Sequence, residues 1–128
     1  MCIRDRPKTS GSKGMQVYVP LREVDPERPW AYAKELAQKI SAAAPMQVVW
    51  QMTKALRPGK VLVDWSQNSA AKTTVSVYSL RARERPTVST PVTWDEVDAC
   101  TVPDDLVFTS DDVLARVERT GDLFSPLL

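Results

Sequence analysis

The chain has 128 residues, enough for one domain with a sizeable core and too few for two. Its 17 basic and 16 acidic side chains leave a net charge of +1, so total charge does not direct it to a polyanion. It has no histidine, which excludes Ser-His-Asp and Cys-His catalysis, imidazole zinc sites and a histidine general base.

Cys2 and Cys100 stand far apart without paired-ligand spacing, and free thiols in a reducing compartment are expected. No apolar run approaches the ~20 residues of a membrane span, and no secretory signal pattern is visible. These two absences point to a cytoplasmic protein with no membrane partner. The charges segregate: Lys54 to Arg85 is basic and Asp95 to Asp112 is acidic, so one face alone can meet a polyanion.

In chain order, residues 1–7 have no periodicity before Pro7. They read as a non-native or disordered lead-in to a domain spanning 8–128, with the native protein beginning further upstream. Thr9-Ser10-Gly11-Ser12-Lys13-Gly14 is a glycine-bracketed turn that runs into Met15 to Val19. That second piece alternates apolar and polar residues as a half-buried strand does, and Pro20 ends it. Small residues let the backbone approach a phosphate, Ser10 and Ser12 carry hydroxyls, and Lys13 carries charge. The spacing is not that of a Walker A loop, and an ordinary flexible turn fits the same residues.

Asp25-Pro26-Glu27 opens a helix, and Trp30, Ala33, Leu36, Ala37, Ile40 and Ala44 recur at helical spacing as its core-facing side. Glu35 and Lys39 pair one turn apart on the outside, and Pro45 ends the helix. Met46 to Leu56 divides between strand for Val48-Val49-Trp50 and a short helix for Gln51 to Leu56. After the Pro58-Gly59 turn, Val61 to Asp64 reads as a short buried strand with a carboxylate at its end. Asp64 at a sheet rim is the candidate metal ligand, with Gln67 and Asn68 beyond it to bond a ligand. The plainer alternative is that Asp64 starts a turn.

Lys72 to Leu80 alternates and is rich in β-branched residues, which predicts a long strand. It continues into Arg81, Arg83 and Arg85, whose guanidinium forks suit phosphate. Arg81 is the favoured one of the three. Thr93 to Glu96 has capping-box spacing for a short helix. Ser110-Asp111-Asp112 caps another helix that points Val113, Leu114 and Val117 inward and stops near Gly121. The acid pairs at 104–105 and 111–112 read as caps rather than metal ligands.

Three segments, T-S-G-S-K-G-M-Q-V-Y-V-P-L (Thr9 to Leu21), K-V-L-V-D-W-S-Q-N (Lys60 to Asn68) and K-T-T-V-S-V-Y-S-L-R-A-R (Lys72 to Arg83), carry a resemblance in their order and spacing. They resemble the polymerase domain of bacterial DNA ligase D, of the archaeo-eukaryotic primase superfamily, used in non-homologous end joining. Pro91 to Val97 is similar to that family as well. The resemblance implies an α/β (α+β) fold, an incomplete RRM-like catalytic core with a mixed or antiparallel sheet and packed helices. It implies template-directed addition of nucleotides to DNA 3′ ends, with DNA ends and nucleoside triphosphates as partners, alongside a ligase domain or other end-joining proteins. It also implies Mn²⁺ or Mg²⁺ held by three aspartates. One of them matches Asp64, the catalytic and metal position. The other two form an Asp-x-Asp motif that lies before the serine–lysine segment in the family and is not in this chain.

By the same resemblance, Ser10, Lys13, Gln67 and Arg81 match nucleotide-binding positions, and Arg57 matches a basic residue near the DNA or phosphate path. Gln16 stands where the family often has His. Asn68 to Lys72 lacks a glycine common there, and Val77 replaces a frequent Pro. The resulting expectation is a fragment of a two-metal nucleotidyltransferase, catalytically silent as these 128 residues. The alternative is a non-catalytic nucleotide- or DNA-binding module that uses Lys13, Arg57, Lys60 and Arg81 as a phosphate cradle.

Overall fold

The computed structural model describes residues 5–22, 25 and 27–127. Among them, helices accompany three two-stranded ladders, an α+β arrangement with no barrel. The chain divides into two compact units: Met1–Leu21 with Val75–Leu128, and Arg22–Thr74 between them in sequence.

The first unit is built on a hairpin. Strand β1 (Arg6–Thr9) pairs antiparallel with β2 (Met15–Tyr18), Lys8 opposite Gln16. β1 therefore takes in Arg6 and Pro7, two of the residues read from sequence as lead-in, while Met1 to Arg4 lie outside the described residues. The other edge of β1 meets Thr90 to Val92, through Thr9 N–H to Thr90 O at 2.8 Å and Val92 N–H to Pro7 O at 3.1 Å. β1 is thus an inner strand with both edges satisfied, and Pro7, Lys8 and Thr9 are all buried. On β2 the alternation is as expected, but the apolar set faces out. Met15 and Val17 are exposed, as are Val19 and Leu21 beyond the strand, while Gln16 and Tyr18 are half-buried.

The predicted strand over Lys72 to Leu80 is not formed as one element. The backbone turns at Tyr78, which has a left-handed φ of 64°, and only β5 (Leu80–Arg81) remains as ladder. β5 pairs antiparallel with β6 (Thr87–Val88), with Arg81 opposite Thr87. The turn is held from several sides. Tyr78 N–H donates to Ser89 O at 2.7 Å, Ser89 N–H to Ser79 O at 3.0 Å, and the Tyr78 hydroxyl to Asp122 Oδ1. A β-rich sequence yields to a turn here because tertiary hydrogen bonds outweigh local propensity.

Helix α2 (Trp94–Ala99) starts at the Thr93–Glu96 capping box the sequence predicts. Helix α3 (Ser110–Thr120) is capped by Thr109 with Asp112 rather than by Ser110, and Gly121 ends it at φ 71°. Of its three predicted core residues, Val113 is buried, whereas Leu114 and Val117 are exposed. Asp105 accepts from the Thr101 and Val102 amides, a capping role as expected. Arg116 joins α3 to α2 through a two-pronged pair with Glu96 and donates to Pro91 O at 3.2 Å. Arg116 draws the Glu96 carboxyl down to about 2, against a smaller opposing effect of burial. The core of this unit is Val88, Val92, Val113 and Phe124, the last meeting Tyr18 edge-on at 5.2 Å.

In the second unit, α1 (Glu27–Ala43) begins where Asp25 Oδ1 accepts from Glu27 N–H at 3.0 Å; Pro26 lies outside the described residues. Its predicted apolar side is only partly buried. Ala37 is fully enclosed, whereas Trp30, Leu36 and Ile40 are exposed. Trp30 packs edge-on against Trp65 at 4.9 Å, and Lys34 lies over both rings. β3 (Val48–Val49) pairs parallel with β4 (Val61–Leu62), and a 3-10 turn at Lys54–Leu56 separates them, so the ambiguous segment holds both strand and helix. β4 is shorter than predicted and is not buried: Val61 is exposed and Leu62 half-buried. Cys100 is a free thiol, and Cys2 lies outside the described residues. No helix among the described residues is long and apolar enough to cross a membrane.

Candidate functional site

The loop between β1 and β2 closes on itself. Ser10 N–H donates to Gly14 O at 2.8 Å, and Ser10 Oγ accepts from the N–H groups of Ser12 and Gly14, both at 3.2 Å. A hydroxyl has two acceptor lone pairs and one donor hydrogen. With both lone pairs engaged inside the loop, Ser10 has its hydrogen left to offer, which is what an anion requires. Lys13 is exposed at the tip of this loop.

Gly11 anchors the loop to its neighbours. Its φ is +65°, and a Cβ there would lie 2.7 Å from Arg81 Cγ, 2.9 Å from Ser89 N and 3.0 Å from Val88 C. Only a residue without a side chain permits that approach. Thr87 Oγ1 donates to Gly11 O at 2.7 Å, and Arg83 donates to the Ser12 hydroxyl. The first unit thus brings together Ser10, the Lys13-bearing loop and Arg81. It adds Arg83, which the sequence reading ranked below Arg81.

Beneath the loop lies a residue the sequence reading passed over. Lys8 is 0% exposed, and its ammonium donates to Val75 O at 2.9 Å and Ser89 Oγ at 2.7 Å. Ser89 Oγ in turn donates to Thr9 O at 2.8 Å. Burial, with the nearby Arg81 charge, pulls the Lys8 ammonium down to about 8. A lysine on a short strand normally reads as solvated, and nothing local in R-P-K-T marks this one as enclosed. Gln16 opposite it on the hairpin is half-buried, and its Oε1 has no hydrogen-bond partner among the described residues.

The second unit holds Asp64, Gln67 and Arg57. Asp64 follows β4 and is exposed. Its Oδ1 accepts from Ser66 N–H at 3.0 Å and Ser66 Oγ at 2.7 Å, and its Oδ2 accepts from Gln67 Nε2 at 3.2 Å. The turn-starting geometry and a rigidly presented carboxylate are therefore the same feature. Partial burial works to raise this carboxyl. Bonds from Ser66 and Gln67, with the Lys72 charge, outweigh it and hold the group below its ordinary value, ionised at neutral pH. Gln67 spends its amide on Asp64. Arg57 is half-buried and donates to the Met52 carbonyl of its own turn, and its Nε has no partner among the described residues. No hydrogen bond or ion pair among the described residues joins Arg57 to Asp64.

Divalent cations such as Mg²⁺ take about six oxygen ligands and are bound by carboxylates in clusters or with substrate phosphates. Among the described residues no three of His, Cys, Asp and Glu gather to hold a metal ion. Asp64 offers one carboxylate, which by itself does not make a two-cation site.

Residues 1–124 match the family model described as LigD, primase-polymerase domain. The chain is 48% identical over 122 residues to the multifunctional non-homologous end joining protein LigD of Mycolicibacterium smegmatis, covering 94% of this chain and 16% of that protein. It is 31% identical over 121 residues to the bifunctional non-homologous end joining protein LigD of Bacillus subtilis, covering 93% and 20%. Its structure superposes with a TM-score of 0.90 and 48% identity on the polymerase domain from Mycobacterium tuberculosis ligase D in complex with DNA, covering 96% of this chain and 42% of that one. The chain thus spans a fifth or less of those relatives and under half of the matched domain structure.

Proposed function

The chain belongs to the LigD primase-polymerase domain family, and from that premise we propose that it supplies the triphosphate-binding part of a DNA repair polymerase. That enzyme adds nucleotides to DNA 3′ ends during non-homologous end joining, with Mn²⁺ or Mg²⁺ as cofactor. The observation that carries the proposal is the seat of Gly11 against the Arg81 side chain and the end of β6, on a short loop that carries the Ser10 hydroxyl and the exposed Lys13.

Phosphoryl transfer asks a protein for positioning and charge neutralisation more than for covalent chemistry. Ser10 donates its hydrogen to a phosphate oxygen, Lys13 contributes a mobile point charge, and Arg81 contributes a planar fork. Arg83 steadies the loop through Ser12. Asp64 is the proposed metal ligand of the intact enzyme, presented by Ser66 and Gln67, so Gln67 acts at least in part through Asp64. Gln16 offers a neutral amide. Arg57 reaches DNA phosphate only after leaving its contact with Met52. DNA ends, nucleoside triphosphates and the other end-joining activities of the full protein are its partners in this reading.

One carboxylate is the observation that favours the second reading, a nucleotide- or DNA-binding module without catalysis. Primer extension with Mn²⁺ tests both. The 128-residue chain is expected to incorporate no nucleotide, and a protein carrying the complete domain is expected to extend the primer. Incorporation by the chain alone refutes the need for further carboxylates. Failure of the complete domain to extend leaves the binding module as the function.

A further inference from the structure

Among the described residues Lys8 is the one charged side chain fully buried, and none of their carboxylates forms an ion pair with it. An enclosed ammonium without a counter-charge is unfavourable unless its hydrogens are well bonded. Its acceptors are placed tellingly. Val75 O belongs to the segment that leads to Arg81, and Ser89 Oγ follows β6, on which Gly11 sits. Lys8 itself is two residues before Ser10, and the Tyr18 ring on β2 lies 5.5 Å from its Nζ. One ammonium therefore ties the start of the loop, the approach to the arginine and the strand beneath both.

We propose that Lys8 is a positioning residue for the anion site, clamping the three segments so that Ser10, Lys13 and Arg81 are presented in fixed register. A bound polyphosphate supplies in return the negative charge that the buried ammonium lacks. This rests on the reading of the loop as a triphosphate site. By linkage, an anion that favours charged Lys8 binds less tightly as pH rises through about 8, where Lys8 loses its proton. The other groups facing Lys8 are the Arg81 side chain and the Tyr18 phenol, which burial raises above its usual value.

The test uses the 128-residue chain, inorganic tripolyphosphate without metal, and the variants Lys8→Met and Ser89→Ala. In the wild type, calorimetric affinity is expected to fall between pH 7 and 9. In Lys8→Met it is expected to be about tenfold weaker or more, as for a lost charge-assisted bond, and level across that range. Ser89→Ala removes the arm of the clamp at β6 but retains the charge and the bond to Val75 O, so it is expected to weaken binding and keep the pH dependence. Independently of any ligand, amide exchange over residues 10–14 is expected to quicken in Lys8→Met while the amides of α2 and α3 keep their wild-type rates. Wild-type affinity and pH profile in Lys8→Met, or equal acceleration everywhere, overturns the assignment. If Lys8→Met does not fold, Ser89→Ala decides by the same readouts. A wild-type chain that ignores tripolyphosphate sinks the triphosphate reading itself, and the exchange measurement then decides the clamp alone.

Discussion

Replacing Gly11 by Ala gives the sharpest test of how the loop is seated. Two penalties are superimposed at this position. A left-handed backbone, here φ +65°, costs an L-residue about 1–2 kcal/mol. The new methyl would also stand 2.9 Å from Ser89 N and 3.0 Å from Val88 C, backbone atoms that cannot swing aside as Arg81 Cγ can. Such overpacking adds about 1–3 kcal/mol, for a total of about 2–5 kcal/mol. Gly121 in the same unit provides the control, since its φ is +71° and nothing lies within 4 Å of a Cβ there. Gly121→Ala should lose about 1–3 kcal/mol, the conformational part alone, because its ψ of −170° lies in a region essentially reserved for glycine. Urea unfolding monitored through the first unit reads both, as a shift in midpoint at constant slope. Equal losses for the two variants would mean that the loop does not rest on β6 as described, and the phosphate-site argument would lose its foundation.

Asp64→Ala, made in a protein that carries the whole polymerase domain, should abolish primer extension. Its stability should fall by no more than about 1 kcal/mol, because the carboxylate is exposed and only turn hydrogen bonds are lost. Retained extension would remove Asp64 from the metal site. Glu96 is held at about 2 chiefly by its bonds to Arg116, so its contribution is complete above the unfolded value of about 4.3 and is lost as pH falls toward 2. Because this carboxylate is about a third exposed, solvent screening reduces that contribution to about 1–2 kcal/mol. Melting temperature between pH 5 and 2 should therefore fall less steeply in Glu96→Gln than in the wild type, and identical slopes would contradict the pairing.

What the sequence made legible was what local chemistry decides. The Thr93–Glu96 capping box, the acid caps at Asp105 and Asp112, the stop at Gly121 and the turn at Asp64 each depend on neighbours within four residues. The family and its fold were legible too, through three ordered segments. What escaped depends on contacts across the chain. Lys8 is enclosed by Val75 and Ser89, more than sixty residues away, and Lys72 to Leu80 bends at Tyr78 because Ser89 and Asp122 hold it there. On α1 and β2, periodicity correctly found an apolar row but could not show that Leu36, Ile40, Met15 and Val17 would stand exposed. Arg57 was read as a basic residue near the DNA or phosphate path, yet its guanidinium turns back on Met52.

The first unit is assembled from the two ends of the chain, with Thr9 bonded to Thr90 and Arg22–Thr74 forming a unit of its own between them. Contacts of such separation require closing a long loop before any hydrogen bond is gained, and they slow folding accordingly. During synthesis, the hairpin that carries the serine–lysine loop emerges before the middle unit but must wait for partners that follow it. The contiguous middle unit can be complete while the ribosome is still adding residues beyond Val92, so it is expected to fold before the unit that its flanking segments build.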